Sequence, residues 1–411
     1  MLQDSVMGIV AEYNPFHKGH QYQINTAKKI LGDIPVVAVM SGSFTQRGEA
    51  AFFDKWTRAT LALMGGVDLV LELPAIYACR SGETFAQGAI GTLAATGVIT
   101  HLVFGTETQE PELLAEAATE PINKDKLQEY LQTGLTYGAA VEKLLCAHNK
   151  KLTGLLKNPN NILALEYYRA LLKLAPQLIP LPIPRAGSGY KDTSMVTTLP
   201  SASAIRQELL SHGFTPKVRK ALPKAISPEM AESLNSQIMG NKEAYAGLLL
   251  AHLLRSSSPE KIKNYCDCSE GLENKIKQGA ASNNLEEIIA AIKSRRYPVT
   301  RIQRLLCQLL ISTEAIPFAQ TAGLSPSYIR VLGFNSKGQK LLHKIKETTS
   351  LPLVTKLKKN ISVEKNGTDF ALTIGTEIAA TNLYDLLAGN GCYNRDYSTS
   401  PVRDYSLDNK Y

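Results

Sequence analysis

Val6-Met7-Gly8-Ile9-Val10-Ala11-Glu12-Tyr13, followed at once by Asn14-Pro15-Phe16-His17-Lys18-Gly19-His20, sets the architecture of this chain. The first run is short and β-rich, and Gly19 to Leu31 reads as the helix that follows it. The same alternation recurs downstream. Ile34 to Met40, Val67 to Leu73 and His101 to Gly105 read as strands, with helices over Asp54 to Met64 and Gly82 to Ala95 between them. Strands alternating with helices of about 10–15 residues signal βαβ units and a parallel sheet. Near-continuous apolar strands fit a sheet covered on both faces. Right-handed crossovers then predict a Rossmann-like doubly wound α/β layer, with its ligand beyond the carboxyl ends of the strands.

Lys124 to Thr133, Ala139 to His148 and Ile162 to Leu174 read as helices, the last after the turn Asn158-Pro159-Asn160-Asn161. Leu178 to Pro184 reads as a last strand, and Ser201 to Arg206 opens another helix. Beyond residue 212 periodic Leu/Ala/Ile segments take over: Ala244 to Leu254, Leu285 to Ile292, Thr300 to Ser312, Ser327 to Val331 and Gly338 to Thr348. The expected organisation is an α/β domain over 1–212, a mostly α-helical domain over 213–388, and a polar, poorly ordered tail over 389–411.

The 411 residues carry 45 Lys+Arg, 37 Asp+Glu and 44% hydrophobic residues, which excludes a disordered or fibrous chain. No apolar run approaches the roughly 20 residues that span a bilayer, and no signal peptide is evident, so a cytoplasmic protein is expected. The six cysteines are too sparse for a disulfide framework, and Cys266-Asp267-Cys268 lacks the partners of a zinc site. Charge is unevenly placed. Residues 1–200 balance at −1 and residues 201–411 at +9, with 13 basic and two acidic residues between Ala291 and Lys359. Such a block suits a polyphosphate partner, although a solvated helical face has the same composition.

A strand-to-helix turn offers unpaired N–H groups and the positive end of the helix dipole, an anion site. His17 and His20 lie on one side of it and can donate to phosphate oxygens, stabilising charge on an α-phosphate and a leaving pyrophosphate. Gly19 lets a base or ribose approach the backbone. A metal pair at this spacing would need a third ligand cluster, and none accompanies it. Ser201, Ser203 and Arg206 add two hydroxyls and a guanidinium at a second helix start, as N-cap or as phosphate ligands.

Together these motifs resemble the HxGH and serine-rich pair of the HIGH-type nucleotidyltransferases, with Ala202 and Ala204 departing from the usual serine-rich pattern. The runs GIVAEYNPFHKGH, SGSFTQRGEAAFFDKWTRA, DLVLELP, FGTE, NPNNILALEY and YIRVLGFNSKGQ are similar, over roughly residues 6 to 350, to one family, the bacterial tRNA(Met) cytidine acetate ligases. That resemblance implies an ATP-dependent ligase. Acetate attacks the α-phosphate of ATP, and the N4 of the wobble cytidine of elongator tRNA(Met) takes the acetyl group from acetyl-adenylate, giving N4-acetylcytidine and AMP. It implies catalytic His17 and His20, and an ATP site over Val10, Ala11, Glu12, Tyr13, Asn14, Pro15, Phe16, His17, Lys18, Gly19, His20, Gln21, Tyr22 and Gln23 with Gly105, Asn160 and Arg185. Each of the last three also has a plain structural reading: strand exit, helix cap and surface contact. Ser201, Ser203 and Arg206 complete the expected ATP set.

The glycine-flanked loop Ser41 to Gly48 leaves the second strand at the same edge, so Ser43, Gln46 and Arg47 are candidates for acetate and cytidine. Asp54, Lys55 and Arg58 follow it, with ion pairing as their alternative. For tRNA the candidates are Lys293, Arg295, Arg296, Arg301 and Arg304, with Tyr297 to stack on a base, then Arg330, Lys337 and Lys340. ATP is the expected co-substrate. No carboxylate pair identifies a magnesium site, so metal dependence stays open, and neither a protein partner nor a membrane is indicated. Two alternatives remain: a small-molecule adenylyltransferase of the pantetheine or nicotinamide-nucleotide type, and a non-catalytic RNA-binding protein.

Overall fold

The computed structural model describes residues 5–185, 199–223 and 226–404, interrupted at 227–229, 233, 235–241, 256–257, 266–267, 269–270, 283, 295–296, 313–317, 319–324, 358–362, 390 and 392. Five parallel strands form its centre: β1 (Met7–Ala11), β2 (Val36–Ser41), β3 (Leu69–Leu73), β4 (His101–Thr106) and β5 (Ile179–Pro184). They stand in the order β5-β4-β1-β2-β3. The chain runs outward from β1 to β3 and then returns to the other side of β1. This places the topological switch point between β1 and β4, where such sheets bind ligands.

Helices cover both faces because successive strand residues point to opposite sides. Val36, Ala38, Met40 and Val70 pack with Ile24 and Ala27 of α1 (Lys18–Leu31), Leu61 of α2 (Lys55–Met64) and Ile205. Val37, Val39, Leu69 and Leu71 pack on the opposite face with Phe85 and Leu93 of α3 (Gly82–Ala95) and Leu165 of α4 (Pro159–Leu174). Ile205 belongs to α5 (Ala202–His212). Between α6 (Lys242–Arg255) and α7 (Val299–Ile311) a separate core forms, in which Leu249, Ile276, Ile288, Ile302 and Leu305 meet.

Two expectations are corrected beyond that helical segment. Ser327 to Val331 is not helical: β6 (Ile329–Asn335) pairs antiparallel with β3, extended by β7 (Leu353–Val354) and β8 (Val402–Asp404), both parallel to β6. Ile329, Val331 and Phe334 are β-branched or aromatic, and the edge of β3 supplies the pairing that a helix would forgo. The segment from residue 389 is not loose throughout. After α8 (Ser336–Thr348) and α9 (Val363–Ala388), α10 (Arg395–Ser398) buries Asp396 completely, and β8 joins the sheet. Among the described residues no helix is long and apolar enough to cross a membrane.

Candidate active site at the carboxyl ends of the strands

The turn after β1 builds the first half of the site from local bonds. Tyr13 has φ 45°, Asn14–Pro15 is cis, and His17 is the N-cap of α1. The Gly19 N–H donates to His17 Nδ1 at 3.0 Å, and the His17 N–H donates to His20 Nδ1 at 3.2 Å. Two imidazoles thus do what hydroxyl and carboxyl groups do in an ordinary capping box. Their ring centroids lie 3.9 Å apart. A Cβ on Gly19 would lie 2.7 Å from the His17 ring, so it is the imidazole, rather than a base or ribose, that occupies the space over this glycine.

That arrangement fixes the tautomers. With Nδ1 of each ring accepting a backbone N–H, the proton of the neutral ring sits on Nε2. Both rings are held neutral. Burial, with Arg185 and Arg206 nearby, pulls His17 down to about 3, and burial, with His17 and Arg185, pulls His20 well below the usual histidine value. The site therefore presents two neutral Nε2–H donors beside two guanidinium groups.

The remaining nucleotide candidates gather around this turn. Arg185 leaves β5 against Gly105, where a Cβ would lie 3.3 Å from the arginine Cγ. Asn160, in the first turn of α4, donates to Glu107 Oε1 at 2.8 Å, while Asn161 accepts the Glu107 and Thr108 N–H groups. Ser201 caps α5 through the Ala204 N–H. Arg206 donates to the Asn14 carbonyl at 2.7 Å and to Ser203 Oγ at 3.3 Å, joining the serine-rich helix start to the histidine turn. Phe16 points into the core and Tyr22 outward, so the expected ATP segment includes side chains that serve packing.

The loop after β2 forms the second half, on the other side of β1. Gln46 donates its backbone N–H to Glu12 Oε1 at 2.6 Å and its amide to the Arg80 carbonyl at 2.8 Å, so the Gln46 side chain is committed to the loop. Ser43 is buried and reaches Thr381 of α9. Gly48 has φ 76°, and a Cβ there would lie 2.6 Å from the Arg304 backbone, so α7 packs directly on the loop. Gln303 also donates to Glu49 Oε1 at 3.1 Å.

Lys55 is an ion-pairing residue, whereas Arg58 has a structural part that ion pairing does not describe. Arg58 is buried and donates to the Glu12 carbonyl at 2.6 Å, the Phe53 carbonyl at 3.0 Å and the Gly42 carbonyl. Lys55 Nζ lies 2.7 Å from Glu72, 3.2 Å from Glu377 and 2.8 Å from Asp396. Arg330 pairs with Asp396 at 2.9 Å and Glu72 at 3.5 Å in the same cluster. Burial and the Glu72 carboxylate push Glu377 well above the carboxylate range, and a protonated Glu377 balances two cations against two anions. Sequence reasoning missed this cluster, since its members lie on α2, β3, β6, α9 and α10.

Two RNA candidates are corrected. Arg330 is 1% exposed inside the ion cluster, and Tyr297 is 3% exposed in the core of the helical segment, beneath Arg301 and Lys275. Neither side chain faces solvent. Lys293, Lys337 and Lys340 are exposed and Arg301 and Arg304 half-buried; Arg295 and Arg296 lie outside the described residues. Lys337 bridges Asp33 at 2.8 Å, before β2, which puts the second basic group at the end of the sheet opposite the histidines. Among the described residues no group of three His, Cys, Asp or Glu could hold a metal ion.

Residues 4–399 match the HIGH Nucleotidyl Transferase family model. The chain is 37% identical to the tRNA(Met) cytidine acetate ligase of Alkaliphilus metalliredigens, over 96% of this chain and 98% of that protein. It is also 37% identical to the tRNA(Met) cytidine acetate ligase of Halothermothrix orenii, over 93% and 94%. The apo crystal structure of Thermotoga maritima TmcAL superimposes with a TM-score of 0.84 at 30% identity, covering 97% of this chain and 99% of that one. The same protein bound with alpha-thio ATP gives a TM-score of 0.82 at 29% identity, with the same coverage.

Proposed function

The chain belongs to the HIGH nucleotidyl transferases and, within them, to the tRNA(Met) cytidine acetate ligases, and from that premise we propose how its two half-sites divide the reaction. The enzyme activates acetate with ATP and transfers the acetyl group to N4 of the wobble cytidine of elongator tRNA(Met), in the cytoplasm. The observation that carries this reading is the pair of neutral imidazoles, each with Nδ1 bonded to backbone and Nε2–H left to donate, set beside Arg185 and Arg206.

In the first step an acetate oxygen attacks the α-phosphorus and pyrophosphate leaves. Donors already oriented in a partly dry site stabilise that charge without reorganising, a contribution worth about 2.7–4 kcal/mol per donor elsewhere. His17 and His20 supply neutral donors, and the two arginines supply charge that can span neighbouring oxygens. Asn160, Gly105 and Arg185 hold the nucleotide on the β4–β5 side. In the second step the cytidine N4 attacks the acetyl carbonyl and AMP leaves, with the loop of Ser43, Gln46 and Arg47 closing the acceptor side.

Residues 1–212 form the catalytic part and the helices from Lys242 to Ile311 the RNA-binding part. The group that serves the anticodon arm is Lys293, Arg301 and Arg304, because α7 abuts the acceptor loop at Gly48. A mixture of unmodified elongator tRNA(Met) transcript, ATP and acetate, analysed by nucleoside mass spectrometry, tests this reading. N4-acetylcytidine that requires both small substrates and disappears in His20→Ala is the expected result. Absence of acetylcytidine with wild-type protein would overturn it.

A further inference from the structure

We propose that Glu12 is the general base of the acetyl-transfer step, accepting the proton that the cytidine N4 gives up as it attacks. The inference rests on the acetate-ligase reading above. Glu12 follows β1, between the histidine turn and the loop after β2. Gly105, Asn160 and Arg185 lie toward β4 and β5, whereas the Glu12 carboxylate turns to the other side and accepts the Gln46 N–H at 2.6 Å. Arg58 holds the Glu12 carbonyl from below at 2.6 Å. The carboxylate is thus fixed at the base of the acceptor loop, half-buried, through Oε1, and Oε2 can take a proton.

The other groups at this edge are committed elsewhere. His17 and His20 accept backbone N–H groups at Nδ1, so in the neutral ring Nε2 carries hydrogen and has no lone pair for a second proton. Glu72, Glu377 and Asp396 are buried behind the loop among Lys55 and Arg330. Glu107 takes the Asn160 amide on the nucleotide side, and Glu49 takes Gln303. Burial pushes the Glu12 carboxyl up, toward the range where a base works at neutral pH, and it outweighs the Gln46 N–H and Arg47, Arg206 and Arg58. Tyr167 and Cys79 lie within reach of its charge; burial raises the Tyr167 hydroxyl, and the hydrogen bond with Cys307 raises the Cys79 thiol.

The step balances. The N4 lone pair forms the C–N bond, its proton passes to Glu12 Oε2, the carbonyl re-forms, and the bond from the acetyl carbon to the phosphate oxygen breaks. AMP leaves with that electron pair and needs no proton, and Glu12 returns its proton to solvent.

Glu12→Gln tests the assignment because the amide oxygen still accepts the Gln46 N–H while the group no longer takes a proton. Any fall in acetate-dependent ATP–pyrophosphate exchange should be smaller than the fall in acetyl transfer. Single-turnover acetyl transfer from pre-formed acetyl-adenylate to tRNA should fall about 10²-fold or more. The acid limb of the transfer rate should be present in wild type, absent in Glu12→Gln and partly restored with Glu12→Asp. Transfer at the wild-type rate, a persisting acid limb in Glu12→Gln, or equal loss of exchange and transfer would overturn the proposal. Wild-type protein that exchanges pyrophosphate but acetylates no cytidine would instead sink the acetate-ligase reading, and the base with it.

Discussion

The two halves of the site are built in opposite ways. The two imidazoles of the histidine turn are oriented by bonds two and three positions long, Gly19 to His17 and His17 to His20, although Arg206 also reaches the Asn14 carbonyl from 192 positions away. The loop after β2 is held from far away: by Glu12 and Arg80, each 34 positions off, by Gln303 at 254 and by Thr381 at 338. Behind it, Glu72 and Glu377 close on Gly42, where a Cβ would lie 2.9 and 2.5 Å from their oxygens. The imidazole pair can therefore be oriented wherever its strand and helix form. The acceptor side exists only when the C-terminal helices have docked.

Removing Lys55 should separate the halves most sharply. Lys55→Met leaves Arg330 alone against three buried carboxyl groups, and breaking a buried pair in this way costs about 3–5 kcal/mol. The urea midpoint should fall accordingly; a midpoint equal to that of wild type would mean that the cluster does not hold the loop. His20→Ala should do the reverse. Acetate-dependent pyrophosphate release should drop about 10²–10³-fold, while stability falls by only about 1 kcal/mol, the worth of a capping bond. A large stability loss there would show that the turn is not locally held.

On the RNA side, Arg301→Ala with Arg304→Ala should raise the KM for tRNA roughly tenfold and make its salt dependence shallower by about 1 for each phosphate left without its arginine. Pyrophosphate release without tRNA should be unchanged; a parallel fall in both would place α7 in the chemistry rather than in RNA binding. The smallest effect concerns pH. Folded His17 takes no proton until about pH 3, whereas an unfolded histidine does so near about 6.5. The unfolded state therefore gains protons first as pH falls, and stability declines below that point, by about 1 kcal/mol at pH 5.5. His17→Asn, which keeps an N-cap, should lose less stability than wild type between pH 7 and 5.5 in urea titrations.

The features of this protein legible in its amino-acid order are those whose physics is local. The β-rich runs and 3.6-period helices of the first 106 residues predict the parallel layer, because side-chain period and face burial are set within each segment. His17, Gly19 and His20 were legible for the same reason, since the bonds that orient the two imidazoles join residues three apart or fewer. Where charge is buried was settled by the folded arrangement instead. Arg330 and Tyr297 look like RNA contacts in a basic, aromatic stretch, yet one is enclosed by carboxylates from β3 and α10 and the other by the helical core. Ile329 to Asn335 becomes a strand because β3 offers an open edge, and Asp396 anchors an otherwise polar tail because Lys55 awaits it. A charge enters the interior only with its partner, and these partners are separated by tens to hundreds of residues, a distance at which sequence pattern carries no pairing information.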